Sequence, residues 1–371
     1  MASRKATKPA AAGGGLPALR ARIDELNIRI VRALSQRARL AQEVWEIKRA
    51  EGASAYQPAR ERAVLESVAA ANPGPLSDEQ IRRIFGEIIA ACRALEQELR
   101  VAYLGPEHTY SHEAARAHFG ASAEFAAQTS IAGVFGAIEN GRADFGVVPV
   151  ENSTEGSVTL TLDLLIDTPL QVVGELLLPV RHALASRSGD PRAIAMIVSH
   201  QQSLGQCRGY LAANFPSAKL EAVASNALAA QRAAEDASAA AIASVTAAGA
   251  YGLKVIAENI QDAPHNTTRF LVIGREPVAP SGADKTSVVF AVPERVGALN
   301  WALSLFARNS INLTMIQSRP QRARPWEYVF FVDLQGHRED PKLRRALEAL
   351  KRRALLLKVL GSYPEGRLAG V

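Results

Sequence analysis

Two basic residues, Arg37 and Lys48, occupy an otherwise apolar helical seam, and their spacing indicates a site for an anion. Steps of four and three residues give the seam Ile30, Leu34, Arg37, Ala41, Val44 and Lys48. The two side chains could instead extend out of the seam into water, covering apolar surface with their stems. Unpaired cations inside a helical core are costly, so we expect a dianionic ligand to complete this site.

Further charged residues accompany this pair on the next predicted helices. Arg60 and Glu61 lie one turn before Val64, and Glu96 follows Cys92 by four residues. Neither a metal-ligand pattern nor a nucleophile with a base accompanies them, and the two cysteines, Cys92 and Cys207, form no disulfide or metal motif. The chemistry predicted from these residues is therefore electrostatic stabilisation without a covalent intermediate or cofactor.

Residues 16–100 must position these charges, and they have a helical apolar period throughout. The first predicted helix is about 50 Å long at 1.5 Å per residue, too long for its seam to be buried inside an 85-residue monomer. We therefore expect an all-α three-helix domain whose long helices pair in an intertwined homodimer, or within a tetramer. Arg20 lies on another face of the long helix, so only an antiparallel partner could bring it to the site. Ser77 and Gln80 form a predicted capping box at the third helix.

Residues 101–278 alternate short apolar strands with alanine-rich helices, which predicts an α/β domain with mainly parallel sheets. Ligands of such folds bind at the carboxyl ends of strands. The polar segments ENSTEGS (151–157) and SHQQS (199–203) follow apolar strands at such positions.

The remaining segments complete the predicted organisation. Residues 279–285 form a linker, and residues 286–371 show a βαββαβ order typical of a ferredoxin-like domain. Residues 1–15 lack the apolar core of a signal peptide and are predicted to be a disordered tail.

Composition favours a soluble globular protein of the cytoplasm. The hydrophobic content is 48%, charged residues make up 22%, and no apolar run is long enough to span a bilayer. The formal net charge is +6, but the basic excess is spread along helices in residues 1–100 and 281–371, without interleaved aromatics. This distribution argues against nucleic-acid binding and suits small anionic ligands.

The helical segments LRARIDELNIRIVRALSQRARLAQEVWEIKR (19–49), YQPARERAVL (56–65) and IFGEIIAACRALEQ (84–97) resemble the chorismate mutase domain of bifunctional chorismate mutase/prephenate dehydratases, the P-proteins. The resemblance implies that Arg20 of a partner subunit and Arg37 bind the two carboxylates of chorismate and Lys48 the ether oxygen. Arg60 and Glu61 would hold the site, with Glu61 on the ring hydroxyl. Other positions that bind substrate in relatives are Gln57 and Cys92.

Glu96 lies where some members of this family have Gln as a second donor to the ether oxygen. A carboxyl group donates only when protonated, so this role requires Glu96 to keep its proton at the working pH. Mutase activity is then expected to fall as the pH rises.

Four segments of the middle domain resemble prephenate dehydratase motifs, in the family's order and spacing: YLGPEHTYSHEAA (103–115), GVVPVENSTEGSV (146–158), SHQQSLGQC (199–207) and NTTRFLVIG (266–274). The family fold is a two-subdomain α/β domain resembling periplasmic binding proteins. By this resemblance Thr268 is the proton or hydrogen-bond donor to the departing hydroxyl, and Arg269 positions a carboxylate or braces the loop. The substrate ligands would be Asn152, Ser199, Gln206 and Phe270; Asn152 and Gln206 could alternatively cap turns.

The chain departs from this pattern at several positions. His108 replaces a usual glycine, Asn226 a usual threonine, Val245 a common acid, and Gln201 a proline after His200. Glycine beside a substrate permits close approach of the backbone, so His108 is the change expected to alter dehydratase rate or preference.

The C-terminal domain resembles the ACT domain, a regulatory amino-acid-binding module. The segments that carry the resemblance are GAL (Gly297, Ala298, Leu299) and QSRP (Gln317, Ser318, Arg319, Pro320), followed by WEYVFFVDL (326–334). Gly297 permits a turn whose backbone binds the charged ends of an amino acid, and Ser318 and Arg319 are expected to begin the loop after a strand. The family form of the second motif is ESRP, so Gln317 removes one negative charge.

Together these resemblances imply a bifunctional enzyme of phenylalanine biosynthesis that converts chorismate to prephenate and prephenate to phenylpyruvate, with feedback inhibition by phenylalanine. Three alternatives remain at this point: only one activity is retained, arogenate is the second substrate, or the chain is a non-catalytic amino-acid sensor.

Overall fold

The computed structural model describes residues 15–51, 56–320, 328–366 and 368. The predicted tail, apart from Gly15, and the first two residues of the WEYVFFVDL segment lie outside the described residues. The chain divides into two compact units, residues 1–55 and 56–371, which are described separately.

The first unit contains one long helix, α1 (Leu16–Ala50), with a proline in its first turn. At 35 residues it is about 52 Å long, as predicted. None of its residues is buried, and large apolar side chains along it, including Ile23, Ile30 and Val44, are about half exposed.

The second unit begins with two further helices, α2 (Pro58–Ala70) and α3 (Asp78–Glu96). The predicted capping box at α3 is confirmed: Gln80 donates its backbone N–H to Ser77 Oγ at 3.2 Å, and Ser77 donates its own to Gln80 Oε1 at 2.9 Å. With α1, these elements bear out the prediction of three helices in residues 16–100, except that Arg100 already belongs to the first strand.

A first lobe follows, built on a mixed sheet of order β2-β1-β3-β11-β5, with β4 paired to β3. Its elements, in chain order, are β1 (Arg100–Leu104), α4 (Tyr110–Phe119), β2 (Glu124–Gln128), α5 (Ile131–Glu139), β3 (Phe145–Asn152), β4 (Gly156–Ser157), α6 (Thr159–Asp167), β5 (Gln171–Pro179) and the returning β11 (Thr267–Gly274).

The second lobe is inserted between β5 and β11 and has a sheet of order β10-β6-β9-β7-β8. Its elements are β6 (Ala183–Ser186), β7 (Met196–His200), α7 (Gln201–Gln206), α8 (Arg208–Asn214), β8 (Lys219–Val223), α9 (Asn226–Glu235), β9 (Ala239–Ala243), α10 (Val245–Ala250) and β10 (Lys254–Ala257).

The prediction of mainly parallel sheets is wrong in one respect. The pairs β1–β2, β1–β3, β7–β8 and β7–β9 are parallel, but β11 runs antiparallel to both β3 and β5, and β6 antiparallel to β9 and β10. The chain crosses from the first lobe to the second after β5 and crosses back before β11. A strand that enters a sheet from the other lobe runs in the opposite direction to its neighbours. Local sequence patterns contain no signal of this crossing.

The C-terminal domain has the predicted βαββαβ order. It consists of β12 (Asp284–Ala291), α11 (Ala298–Arg308), β13 (Leu313–Pro320), β14 (Tyr328–Gln335), α12 (Pro341–Lys351) and β15 (Leu356–Pro364), in an antiparallel sheet of order β13-β14-β12-β15. The last two residues of the predicted linker, 284 and 285, already belong to β12.

The C-terminal domain packs tightly on the first lobe. One apolar cluster contains Val172 of β5 together with Phe331 and Leu360 of the C-terminal sheet. A Cβ at Gly361 would overlap the carbonyl group of Val172, so only glycine permits this approach of β15 to β5. The first lobe and the C-terminal sheet therefore share a core.

Candidate active sites

The strand pair β3–β11 brings two predicted site residues together. Thr268 lies opposite Asn152 in the register of these strands. Asn152 Nδ2 donates to Thr268 Oγ1 at 2.9 Å and to Asn266 Oδ1 at 2.8 Å. Asn152 ends β3, and its Oδ1 accepts the backbone N–H groups of Thr154 at 3.0 Å and Glu155 at 3.1 Å. This turn holds the Asn152 side chain against the threonine hydroxyl.

The second lobe contributes Gln206, the last residue of α7, to the same group. Its Oε1 accepts from Asn266 Nδ2 at 3.0 Å and lies 2.9 Å from His182 Nε2. Its Nε2 donates to Glu155 Oε1 at 3.4 Å. Three predicted site residues, the ligands Asn152 and Gln206 and the donor Thr268, thus meet in one polar network between the two lobes.

Sequence reasoning missed two members of this network, Asn266 and His182. Asn266 belongs to the NTTRF motif, and its place two residues before Thr268 was a usable signal. His182 lies just after β5 in a segment without a recognisable motif. It is almost fully buried, and burial lowers its pKa even though the hydrogen bond to Gln206 raises it.

Ser199 lies in a separate hydrogen-bonded group at the end of β7. Its buried Oγ lies 2.8 Å from the Ile242 carbonyl oxygen and 3.1 Å from Asn226 Oδ1. Asn226 Oδ1 also accepts from Ser203 Oγ at 3.0 Å and from the backbone N–H of His200 at 3.3 Å. Asn226, which stands where a threonine is usual, therefore accepts the hydrogen bonds that hold the turn after β7. The role of Ser199 as a substrate ligand remains a prediction.

Arg269 and Phe270 have surroundings other than those expected. Arg269 Nε donates to Glu175 Oε2 at 2.7 Å, and its Nη1 lies 2.6 Å from Asp333 Oδ2 on β14. The Arg269 side chain is nearly buried between the first lobe and the C-terminal domain. Phe270 is 2% exposed and packs in the core with Val101. Of the two roles considered for Arg269, this geometry favours bracing the protein over binding a substrate carboxylate. It places Phe270 in the core and not among the polar groups of the network.

Electrostatics explain why Arg269 can be buried. Although burial by itself would lower it, the pKa of Arg269 is raised because Tyr363, Asp333 and Glu175 surround the guanidinium group. Burial likewise acts to raise the pKa of Glu175, but Arg269 and Lys285 lower it overall. Lys285 Nζ lies 2.6 Å from Glu175 Oε1. The charges in this junction therefore compensate one another.

His108 adopts a left-handed backbone conformation with φ of 63°. This is the position where the resemblance leads one to expect glycine, and a residue with a side chain is strained there. The His108 N–H donates to His112 Nδ1 at 3.0 Å, and its ring contacts Tyr251 of the second lobe with centroids 5.6 Å apart. The histidine therefore adds a contact between the lobes. Val245, another departure, is an exposed first residue of α10.

The predicted mutase residues are distributed over the three helices. Arg20, Arg37 and Lys48 lie on α1, and α1 has the predicted length and exposed apolar side chains. Arg60 is exposed on α2, Gln57 is the N-cap residue of that helix, Cys92 is buried in α3, and Glu96 is the last residue of α3. Their roles in binding chorismate remain predictions.

Glu61 has a partner that the sequence reasoning did not identify. It forms a close ion pair with Arg93 of α3, and the buried Arg93 also donates to the Phe119 carbonyl oxygen at 2.7 Å. The Arg93 guanidinium lies over the ring of Tyr56, 5.6 Å from its centroid. Glu61 thus takes part in the contact of α2 and α3 with the first lobe. Its predicted binding of the ring hydroxyl of chorismate requires that Glu61 does so while paired with Arg93.

The two motifs of the C-terminal domain lie at the start of α11 and in β13. Gly297 is the N-cap of α11 with φ of 80°, which confirms that this turn requires glycine, and Ala298 and Leu299 begin the helix. Gln317, Ser318, Arg319 and Pro320 are the second half of β13 and do not begin a loop as expected. The antiparallel pairing with β14 extends to Pro320 and keeps the motif in the sheet.

Gln317 and Arg319 both contact the first lobe. Ser157 Oγ donates to Gln317 Oε1 in a close hydrogen bond, and Arg319 Nη2 lies 3.3 Å from Asp163 Oδ1 on α6. Ser157 follows the turn that holds Asn152 by only a few residues. The predicted amino-acid motif is therefore linked to the predicted dehydratase site through residues 152–163.

Within the part of the chain that the structure describes, no group of three or more His, Cys, Asp or Glu side chains is placed to hold a metal ion. In those same residues no helix combines the length and apolar character needed to cross a bilayer.

Comparison with known families assigns each of the three parts. Residues 19–97 match the model of the family chorismate mutase type II, residues 101–278 that of prephenate dehydratase, and residues 286–352 that of the ACT domain. A solved prephenate dehydratase from Arthrobacter aurescens, in complex with L-Phe, matches with a TM-score of 0.66 and 34% identity. That match covers 72% of this chain and 90% of the other.

Two curated relatives match along nearly the whole chain. A bifunctional chorismate mutase/prephenate dehydratase of Stutzerimonas stutzeri is 47% identical over 359 residues, covering 95% of this chain and 98% of that protein. One from Aquifex aeolicus is 43% identical over 357 residues, covering 95% and 99%. The chain therefore belongs to the family of bifunctional chorismate mutase/prephenate dehydratases.

Proposed function

We propose that this chain rearranges chorismate to prephenate in its helical domain and converts prephenate to phenylpyruvate, carbon dioxide and water in the cleft between its two lobes. The observation that carries the second activity is the network joining Asn152, Thr268 and Gln206 across the lobes. The first activity is supported by the family match of residues 19–97 and by the basic seam of α1.

The dehydratase reaction makes modest demands on the protein. As the carboxylate leaves as carbon dioxide, its bonding electrons enter the ring, the ring hydroxyl departs, and the product gains aromaticity. The site must hold two carboxylates and donate a hydrogen bond to the leaving oxygen. Thr268 is the proposed donor, and as a weak acid it polarises the leaving group within the network more than it transfers a full proton.

The mutase reaction needs no covalent step. Charge accumulates on the ether oxygen as its bond to the ring breaks, and a fixed cation beside that oxygen lowers the barrier. Lys48 is the proposed cation, Arg37 and a partner's Arg20 bind the carboxylates, and Arg60, Glu61 and Glu96 complete the site. Because Arg20 lies on another face of α1, this arrangement needs a homodimer in which two copies of α1 pair.

We also propose that phenylalanine binds the C-terminal domain and inhibits the dehydratase. The prephenate dehydratase of Arthrobacter aurescens was solved in complex with L-Phe, and residues 286–352 of this chain match the ACT domain. In this chain the QSRP motif contacts Ser157 and Asp163, which lie just after the turn that holds Asn152. A change in β13 on binding phenylalanine would reach that turn directly.

A coupled assay tests both activities on the full chain. Loss of chorismate absorbance, and appearance of phenylpyruvate from added prephenate, are followed for the wild type, Lys48→Ala and Thr268→Ala, with Thr267→Ala as a neighbouring control. We expect Lys48→Ala to lose chorismate conversion but to keep prephenate conversion, and Thr268→Ala to show the reverse. Equal rates in the wild type and both variants would overturn the assignment.

A further inference from the structure

The groups at the two ends of the polar network in the cleft determine which atom donates and which accepts in every hydrogen bond between them. Asn152 Oδ1 accepts two backbone N–H groups, from Thr154 at 3.0 Å and Glu155 at 3.1 Å, and a backbone N–H can only donate. The Asn152 amide therefore has one possible orientation, and its Nδ2 is the donor to Thr268 Oγ1 and to Asn266 Oδ1.

The same logic continues into the second lobe. Because Asn266 uses Oδ1 as the acceptor toward Asn152, its Nδ2 donates to Gln206 Oε1 at 3.0 Å. Gln206 Nε2 then donates to Glu155 Oε1 at 3.4 Å. A backbone turn at one end and a carboxylate at the other thus impose the same direction on all three amides.

His182 is the remaining neighbour of Gln206 Oε1. Since that oxygen is an acceptor, His182 Nε2, 2.9 Å away, must carry the hydrogen. The histidine is 1% exposed and its burial lowers its pKa, which favours the neutral ring with a single N–H. The Tyr110 ring packs edge-on against the imidazole with centroids 5.8 Å apart and holds its orientation.

We propose that His182 is a positioning residue of the dehydratase reaction: by donating from Nε2 to Gln206 Oε1, it holds in place the Gln206 end of an amide chain whose direction is already fixed and which ends on Thr268. Thr268 Oγ1 accepts from Asn152, so the bond within the network does not use the threonine's own hydrogen. That hydrogen is left to donate to the departing hydroxyl of the substrate. This inference rests on the proposed dehydratase function and assigns to that site a residue which does not itself touch the substrate.

Two substitutions at His182 test whether the reaction needs a hydrogen-bond donor at the position of Nε2 or the imidazole ring itself. In His182→Gln the amide nitrogen can take the place of Nε2 and still donate to Gln206, whereas in His182→Asn it takes the place of Nδ1 and cannot. We expect His182→Gln to keep kcat for prephenate within about 5-fold, and His182→Asn to lose about 10- to 100-fold in kcat with a smaller change in KM. Chorismate conversion by the same preparations reports on folding and should stay unchanged.

A second readout distinguishes positioning from a general structural role. In a Thr268→Ala background, His182→Asn should cause no further loss of the residual rate, because its effect passes through the threonine hydroxyl. If His182→Asn does not fold, Asn266→Asp decides in its place, since it keeps the acceptor toward Asn152 and loses the donor toward Gln206.

The outcomes separate this inference from the proposed function. Equal kcat for His182→Gln and His182→Asn, or a full additional loss in the Thr268→Ala background, would overturn the positioning role while leaving the dehydratase activity intact. A wild type that does not convert prephenate would instead overturn the proposed function itself.

Discussion

Thr268 and Arg269 are consecutive residues of β11, yet their side chains leave the strand on opposite faces. Thr268 accepts a hydrogen bond from Asn152 at 2.9 Å in the cleft, and Arg269 donates to Glu175 at 2.7 Å in the junction with the C-terminal domain. Alternation of side chains along a strand makes this division unavoidable. The strand that presents the proposed hydrogen-bond donor is therefore also the strand to which the regulatory domain is attached.

The first prediction concerns the buried ion pair of Arg269 and Asp333. Arg269→Met leaves two buried carboxylates, Glu175 and Asp333, without that cation, and we expect the free energy of unfolding to fall by about 3–5 kcal/mol. Removing the pair together, as Arg269→Met with Asp333→Leu, should recover part of this loss. Urea unfolding of the single and double variants measures the coupling.

Arg232 provides the matched control for this cycle, because its ion pair with Glu221, at 2.5 Å, is partly exposed to solvent. Arg232→Met should cost less than about 1 kcal/mol. A strictly additive Arg269 and Asp333 cycle would contradict the description of the junction as a coupled charge cluster.

The comparison of sequence and structure shows which inferences local patterns support. The βαββαβ order, the capping box of Ser77 and the glycine turn at Gly297 were predicted because each depends on residues close together in the chain. Arg269 and Glu61 were assigned only by their motifs, and their actual partners, Asp333 and Arg93, lie 64 and 32 positions away. No periodicity encodes such contacts, since they depend on how separate elements pack.

The second prediction concerns phenylalanine binding at the turn before α11. Gly297→Ala places a side chain where φ is 80°, although no atom would meet the new Cβ, so the effect is on backbone conformation. We expect the dissociation constant for phenylalanine, measured by isothermal titration, to rise about 10-fold or more. Gly282→Ala, with φ of 86° and equal free space, imposes the same strain in the linker and should leave binding unchanged. Equal binding by the two variants would argue against the Gly297 site.

The third prediction concerns the exposed apolar face of α1. Ile30 is 55% exposed in the single chain, and we expect this face to pair with α1 of a second copy. Ile30→Glu should shift the chain toward monomer in sedimentation velocity and lower mutase activity, because Arg20 would no longer be supplied in trans. Leu220→Glu, at a position 48% exposed on β8, is the control and should change neither property. An Ile30→Glu dimer with full mutase activity would contradict the pairing.

The fourth prediction concerns Glu96 as a donor to the ether oxygen of chorismate. Because only the protonated carboxyl donates, wild-type mutase activity should fall as the pH rises from 5 to about 9. Glu96→Gln donates at every pH in this range, so its profile should be flat, while Glu98→Gln should keep the wild-type profile. Flat profiles for both the wild type and Glu96→Gln would remove Glu96 from the proposed site.

The fifth prediction concerns His118, which is partly buried near Arg93 and whose Nε2 lies 2.5 Å from the Tyr56 hydroxyl. Burial, aided by the Arg93 charge, lowers the pKa of His118 from 6.5 to about 4. Between these two values the unfolded chain binds a proton that the folded chain excludes, so stability falls as the pH drops from about 6.5 to about 4. The loss from this group is on the order of 3 kcal/mol.

His118→Gln removes the group that titrates in this range. Urea unfolding at pH 7 and pH 4.5 should therefore show a smaller pH effect for this variant than for the wild type. His265→Gln, at an exposed position, should behave as the wild type does. His118→Gln and the wild type could instead lose the same stability on acidification. In that case a group other than the His118 imidazole makes the contact between α3 and the first lobe sensitive to acid.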